Sequence, residues 1–304
     1  MDVLLVGAGV IGTVFGTQLS ATGHRVSVLA HGRRTRRIED RGLRARDAAS
    51  GVLTQAPARV VDRVGDSLYD LVLVTVRREQ IDQVVTTLAD LAGRPTVAFS
   101  VNNPHGRARL AGVPGTVVQA FPGLGGAMDD DVAVYRRTFQ QPTTVEAHPD
   151  PVLGEFCTTL ARRGFAIGRT TDMDGWLTHH AAAVVCLAGA LRLHDNDPVR
   201  LAADRSTLTV MCRGAAEAFA VLRAQGVGGL PLSLSLMIRR PVAHPVAMLY
   251  FARLLRSPVG ELCLASHART AGHEIDVLAD DVLGLIPSSP STRNLYEITR
   301  LLRR

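Results

Sequence analysis

The chain has 304 residues, 46% of them hydrophobic, and a net charge of +6 from 34 basic residues that are all arginine. Such a composition suits a folded protein large enough for two cores and excludes a disordered one. Aromatic residues are only 4%, too few to stack single-stranded nucleic acid, and no apolar run approaches the ~18 residues of a membrane span.

The arginines are spread along the chain without alternating with aromatics, so neither nucleic acid nor membrane is expected as a partner. With no lysine anywhere, no ε-amine is available as an acid or Schiff-base nucleophile. Cys157, Cys186, Cys212 and Cys263 lie too far apart for a zinc site or a disulfide framework. They read as small core residues, and no metal is expected. Asp2 follows Met1 and a strand follows at once, which leaves no room for a signal peptide and implies a cytoplasmic protein.

Val3 to Val6 is an unbroken apolar run, as in a strand buried on both faces. Gly7-Ala8-Gly9-Val10-Ile11-Gly12 follows as G-x-G-x-x-G, and a helix then runs to Ser20 and ends at Gly23. Strand, glycine turn and helix in this order are a dinucleotide fingerprint. Gly7 permits the tight turn, Gly9 admits a pyrophosphate, and Gly12 lets helix and strand pack closely. Val10 and Ile11 open the helix whose free N–H groups meet the phosphates.

Arg25 to Ala30 predicts the second strand. An acidic residue at its end would bind the ribose of NAD. Here His31, Gly32, Arg33, Arg34, Arg36 and Arg37 stand instead, and the first acid is Glu39. The missing carboxylate and the arginines favour a 2′-phosphate, hence NADP(H).

Leu43 to Val61 reads as an irregular strand pair turning at Gly51. Leu71 to Val76 is a buried strand with Arg77 at its end and Gln80 in the helix that follows. Thr96 to Ser100 is another strand, running into Val101-Asn102-Asn103-Pro104-His105-Gly106. Ligands of open parallel sheets sit beyond the C-terminal strand ends, where Gly7, His31, Arg77 and Asn102 all fall. Val117 to Ala120 predicts a strand, Phe121 to Gly126 a flexible loop, and Val132 to Val145 a pair of hairpin strands. Val152 to Arg163 is helical and Phe165 to Ile167 strand-like.

From Asp172 the strand pattern stops. Helices are predicted over Trp176 to Leu193, Val199 to Gln225, Val242 to Arg256, Glu261 to Asp280 and Thr292 to Leu302. The expected fold is α/β, with an N-terminal Rossmann domain (a doubly wound parallel sheet) over 1–170 and an all-helical C-terminal domain over 171–304.

Several motifs in order carry a family resemblance. They are Gly7 to Gly12, Thr75-Val76-Arg77 with Gln80, Asn102-Asn103-Pro104, Phe121 to Gly126, Gln140 to Thr144, Met173-Asp174-Gly175-Trp176-Leu177, and His273-Glu274-Ile275-Asp276. Together they make the chain resemble the ketopantoate reductases, the NADPH-dependent 2-dehydropantoate 2-reductases. That resemblance implies a Rossmann domain followed by a helical one, an active site in the interdomain cleft, and hydride transfer to a 2-keto acid. It also implies a possible homodimer. Glu274 matches the family's assisting glutamate and Asn102 the asparagine beside the nicotinamide, and Arg77 stands where the family often has a lysine. The catalytic lysine is replaced by Thr178, and the asparagine four residues on by Ala182. Loss of a positioned acid typically costs ~10²–10⁴ in rate, so a substrate other than ketopantoate is expected.

Substitute proton donors are His179 and His180, which adjoin Thr178 and titrate in the useful range. Adjacent helix residues point about 100° apart, so at most one faces a shared ligand well. His267 and Glu274 lie two turns apart on one helix face, with Ser266 and Thr270 nearby. Arg239, Arg240 and His244, in a segment broken by Pro241 and Pro245, are candidates for holding a substrate carboxylate. Two readings result. One is an NADP(H)-dependent oxidoreductase acting on a carbonyl or imine. The other is a relative repurposed for cyclisation, isomerisation or plain ligand binding, in a secondary-metabolite pathway.

Overall fold

Alternating contacts along the first strand create the layers of the N-terminal half. In β1 (Asp2–Val6), Val3 and Leu5 face one core while Leu4 and Val6 face another. Period-2 side-chain alternation in a strand with apolar residues at every position demands cover on both sides. α1 (Val10–Ser20) lies with the first core, which also holds Phe15 and Leu19.

The computed structural model describes residues 1–30, 33–65, 67–138, 141–235 and 243–303. They form two units, Met1–Val101 with Arg107–Thr171, and Asn102–Gly106 with Asp172–Arg304. His31, Gln140, Arg239, Arg240 and the side chains of Arg33 and His244 lie outside what is described.

In the first unit the chain continues through β2 (Arg25–Leu29), α2 (Arg33–Arg41), β3 (Leu43–Asp47), β4 (Leu53–Ala56), β5 (Arg59–Val61), β6 (Leu71–Val74) and α3 (Ile81–Leu88). β7 (Thr96–Ser100), β8 (Thr116–Phe121), β9 (Leu124–Asp129), β10 (Val132–Arg137), β11 (Thr143–Glu146), α4 (Pro151–Arg162) and β12 (Ile167–Thr170) complete it. Eight strands form the main sheet in the order β12-β11-β8-β7-β6-β1-β2-β5. β1 pairs in parallel with β2 and β6, Val6 facing Leu29 on one side and Val74 on the other, so three strands end level.

Three expectations change. The stretch from Leu43 to Val61 is not one strand pair but three strands, the last of which leaves β3 and β4 to extend the main sheet beside β2. Phe121 to Gly126 is not a flexible loop, because Leu124, Gly125 and Gly126 begin β9. A Cβ on Gly126 would lie 2.1 Å from the Val134 carbonyl, so that glycine serves close strand approach. β10 and β11 are not a hairpin. β10 pairs with β9 and β3 in a second sheet of order β4-β3-β10-β9, while β11 joins β8 and β12 in the main one.

The elements of the second unit's described residues are all helical, and the short Asn102–Gly106 segment joins them from the first half of the chain. It runs α5 (Met173–Arg192), α6 (Pro198–Ala203), α7 (Arg205–Ala224), α8 (Leu232–Ser235), α9 (Ala243–Leu255), a π-helical turn (Gly260–Ala265), α10 (Ser266–Thr270), α11 (Gly272–Leu285) and α12 (Arg293–Thr299). Val199 to Gln225 divides at Asp204, whose carboxylate accepts from the Ser206 and Thr207 N–H groups and starts α7. Glycines bring α12 close: a Cβ on Gly189 would meet the Ile298 carbonyl at 2.1 Å. All four cysteines are buried and free.

Phe15 anchors the first core edge-on to Phe156 at 5.7 Å and to Phe165 at 6.2 Å. Phe15→Ala is expected to destabilise the first unit by about 3–5 kcal/mol, read as a lowered urea midpoint for that unit.

Candidate functional site

The glycine turn is closed on one side and open on the other. Gly7 has φ +100°, a left-handed conformation that favours glycine, and a Cβ there would press on the Thr75 carbonyl carbon at 2.9 Å. At Gly12 a Cβ would fall 2.0 Å from the Gly7 carbonyl oxygen and 2.4 Å from Thr75 Oγ1. Thr75 Oγ1 donates to the Gly7 carbonyl at 2.7 Å, tying the end of β6 to the turn after β1. Gly9 differs: nothing lies within 4 Å of a Cβ there.

Gly9 is also the N-cap of α1, without a side-chain cap and without an acidic residue in the first turn. The first N–H groups of that helix, from Val10 and Ile11 onward, therefore have no side-chain cap and carry the helix's partial positive charge. The chemistry of this cradle fits an anionic pyrophosphate.

Around it stand the ends of two further strands. Val76 is half-buried, and Arg77 and Gln80 are exposed. The Gln80 side chain accepts from the Arg77 N–H at 3.1 Å, and the Gln80 N–H returns to the Arg77 carbonyl at 3.0 Å, which fixes this corner. Beside the end of β2, Arg34 Nη2 donates to Thr13 Oγ1 of α1 at 2.7 Å. Burial pushes the Arg34 guanidinium below its ordinary range, opposed by the carboxylate of Asp131. α2 opens with arginines and no acid in its first turn, an arrangement that disfavours an isolated helix N-terminus and suits a bound anion. A cavity of about 410 Å³ adjoins the ends of β2 and β5, lined among others by Ala30, Thr35, Glu39, Val61 and Tyr69.

In the second unit, Asn102 is buried and its Oδ1 has no hydrogen-bond partner among the described residues. The Asn102–Gly106 segment is held by α5. Thr178 Oγ1 donates to the Pro104 carbonyl at 3.0 Å and lies 2.9 Å from the Asp174 carbonyl. Asn103 Nδ2 donates to the Gly106 carbonyl at 2.7 Å, closing the turn. Gly106 has φ +67° and leaves no room for a Cβ, which would meet the Asp174 carboxyl carbon at 2.7 Å.

His179 and His180 sit in the interior of this unit. His179 has 0% exposure, its Nδ1 lies 2.8 Å from the Gly175 carbonyl and its ring packs on Phe219. Burial lowers its pKa, partly offset by the Gly175 and Gly228 carbonyls. The His180 ring stacks on Trp176 at 5.0 Å, and burial pushes its pKa down to about 3. Both rings are thus disposed to stay neutral at pH 7. Glu274 is buried at the start of α11, with the half-exposed His267 Nε2 at 3.9 Å from its Oε2. The predicted single helix breaks at Ala271, yet the pair remains on adjoining turns. Among the described residues no group of three or more His, Cys, Asp or Glu side chains is placed to hold a metal ion, and no helix is long and apolar enough to cross a membrane.

Sequence reasoning gave no site role to Thr13, Arg78 or the His105–Asp281 pair, and named Thr75 only within the Thr75-Val76-Arg77 motif. Thr75 carried a signal, a polar residue ending an apolar strand. Arg78 carried none: it is 1% exposed beside an exposed Arg77, a distinction only packing makes.

Comparison with known proteins bears on this arrangement. Residues 3–149 match the family model of ketopantoate reductase PanE/ApbA. A PanE/ApbA family ketopantoate reductase from Ralstonia eutropha JMP134 superposes with TM-score 0.75 at 21% identity, over 99% of this chain and 98% of that one. D-mandelate dehydrogenase bound to NADH and anilino(oxo)acetate gives TM-score 0.75 at 13% identity, over 99% and 98%. A dimeric ketopantoate reductase from Staphylococcus aureus gives 0.65 at 13%, over 100% and 99%. No curated protein matches the sequence. The chain resembles the ketopantoate reductase family in its N-terminal sequence and shares the fold of those enzymes along its length.

The buried histidines set a pH dependence. A histidine with a depressed folded pKa stabilises the fold fully above its unfolded value near 6.5, and that stability is lost as pH falls toward the folded pKa. For His180 the window runs from about 6.5 down to about 3. Its contribution to the slope approaches ~1.4 kcal/mol per pH unit inside that window. Urea unfolding of the wild type is expected to weaken between pH 7 and pH 5, and His180→Phe to weaken less.

Proposed function

We propose that this chain, which shares the ketopantoate reductase fold, is an NADP(H)-dependent oxidoreductase that reduces a carbonyl or imine other than ketopantoate. The observation that carries this reading is the cradle at Gly7 to Gly12: closed where glycine is sterically required and open where a pyrophosphate has to approach. A bound nicotinamide supplies the hydride. The chain's own groups bind and orient. Gly9 and the N–H groups opening α1 hold the pyrophosphate. Arg34, already oriented by Thr13, with Arg33 and His31 beside it in sequence, meets the 2′-phosphate. Val76, Arg77 and Gln80 border the cofactor at the end of β6, and Asn102, whose Oδ1 has no partner among the described residues, matches the family's asparagine beside the nicotinamide.

Burial keeps His179 and His180 neutral at pH 7 and makes them weak acids, so the reading does not rely on them as donors. Glu274 keeps its role of holding a water or the substrate. Small 2-keto acids are the substrate class favoured, on the analogy of D-mandelate dehydrogenase among the chains of this fold.

A second reading, non-redox chemistry or ligand binding alone, is favoured by one observation. The Thr178 hydroxyl, at the family's lysine position, is engaged by backbone carbonyls and fills a structural role. Cofactor titration separates the two. NADPH is expected to bind more tightly than NADH. Arg34→Ala is expected to lose roughly 10- to 100-fold in NADPH affinity, the value of a charge-assisted hydrogen bond, with little effect on NADH. Tighter NADH binding by the wild type overturns the NADP(H) preference, and turnover without any nicotinamide favours the second reading.

A homodimer belongs to the same proposal, as in the dimeric Staphylococcus aureus relative. Val246, Leu249 and Tyr250 expose one apolar face of α9. Sedimentation is expected to show two copies, and Leu249→Glu to shift the balance to monomer.

A further inference from the structure

We infer that Thr13 is a positioning residue for cofactor choice, holding the Arg34 guanidinium ready for a 2′-phosphate beside the glycine turn. This deepens the NADP(H) reading above and rests on it, and every residue it uses belongs to the first unit. Thr13 is fully buried near the start of α1. Its Oγ1 accepts from Arg34 Nη2 at 2.7 Å and donates to the Ala8 carbonyl at 3.2 Å. A hydroxyl can do both at once, having one O–H to give and lone pairs to receive with. Ala8 is part of the glycine turn, so one side chain joins that turn to the arginine of α2. The backbone of Thr13 is fixed as well. Its N–H donates to the Gly9 carbonyl at 2.9 Å, and its carbonyl accepts from Thr17 Oγ1 at 2.6 Å.

Arg34 stands apart from the arginines around it. Arg34, Arg37 and Arg41 follow one another at spacings of three and four, which puts them on one face of α2. Arg37 pairs with Asp130, and Arg41 lies 3.5 Å from Asp131, in the turn between β9 and β10. Arg44 of β3 meets Asp131 too, at 3.1 Å. These pairs and the buried Ile38 already dock α2. Arg34 meets a neutral hydroxyl where its neighbours meet carboxylates. Its Nε is buried without a hydrogen-bond acceptor among the described residues. Asp130 and Asp131 act on it at longer range, against the cost of burial.

That difference has a chemical consequence. A half-buried guanidinium short of acceptors is costly, and phosphate oxygens relieve the cost. A carboxylate in place of the Thr13 hydroxyl would orient Arg34 equally well, but it would cancel the charge and repel a 2′-phosphate. The hydroxyl orients without neutralising. It also fixes a flexible side chain beforehand, so less freedom is lost when the anion arrives. A cofactor with a 2′-hydroxyl brings no charge to this place and gains little from it.

The test uses the full chain and two fragments, adenosine 2′,5′-bisphosphate and 5′-AMP, in calorimetric titrations. The fragments differ by the 2′-phosphate alone. Thr13→Val keeps the shape and removes the hydroxyl. It is expected to weaken the bisphosphate about 5- to 10-fold, the value of one net hydrogen bond, and AMP less than about twofold. Thr13→Ser restores the hydroxyl and is expected to lie within about twofold of the wild type for both. In an Arg34→Ala background Thr13→Val is expected to change neither affinity, because the hydroxyl acts through that guanidinium. Equal weakening of both fragments by Thr13→Val gives the hydroxyl to the glycine turn alone and overturns the inference. Unchanged bisphosphate affinity overturns it too, as does a further loss in the Arg34→Ala background. If Thr13→Val fails to fold, Thr13→Ala carries the same comparison. Tighter binding of AMP than of the bisphosphate by the wild type overturns instead the NADP(H) preference beneath the inference, and absence of binding by both overturns the nucleotide reading itself.

Discussion

The N-terminal unit depends on one close approach. Gly12 lies so near the Gly7 carbonyl and Thr75 Oγ1 that no other residue fits, and the Thr75 hydroxyl bonds that same carbonyl. This junction sets α1 against the ends of β1 and β6. It thereby decides where the first N–H groups of α1 point. An uncapped helix N-terminus is a cost in an empty fold and an asset once an anion is present. The open space at Gly9 lies at that N-terminus.

Burial sorts the ionisable groups of the helical unit into different chemical kinds. His179 and His180 are adjacent to a position the family resemblance marks as catalytic, yet α5 turns both inward among Phe219 and Trp176. Desolvation then holds them neutral. His105 is the one exposed residue of an otherwise buried segment, Asn102–Gly106, and its ring keeps solvent access. Thr178 supplies what a hydroxyl can supply, a hydrogen bond to a carbonyl. A residue type that cannot act as an acid at neutral pH still shapes the site by fixing the segment beside it.

The arginine-only basic set is largely absorbed by structure. Arg137 reaches Asp47 at 2.7 Å and the Gly164 carbonyl at 2.9 Å, with its guanidinium over Phe165. Arg192 joins Asp276 to the Leu301 carbonyl, and Arg44 meets the buried Asp131. The planar fork of arginine serves carboxylate and carbonyl at once, which a lysine does less well. Net charge is thus a poor guide to partners in this chain. The informative arginine is Arg34, half-buried against Thr13 rather than spread over the surface.

What the sequence by itself determined is local. Four apolar residues followed by G-x-G-x-x-G produce a strand, a turn and a helix because each depends on neighbours a few positions away. The same holds for the helical half, whose starts at Asp172, Asp197 and Asp204 are carboxylates bonding N–H groups two or three residues on. Strand partners were another matter. Nothing within Val132 to Val145 says that β10 joins β3 while β11 joins β8, since pairing is settled by contacts across the unit. Histidine chemistry was equally hidden. That α5 buries His179 and His180 while His105 lies 2.8 Å from a carboxylate 176 residues away is a property of packing. Hydrophobic periodicity reports which face of an element is covered. Only the tertiary structure decides what covers it, and with it which ionisable side chains keep contact with water.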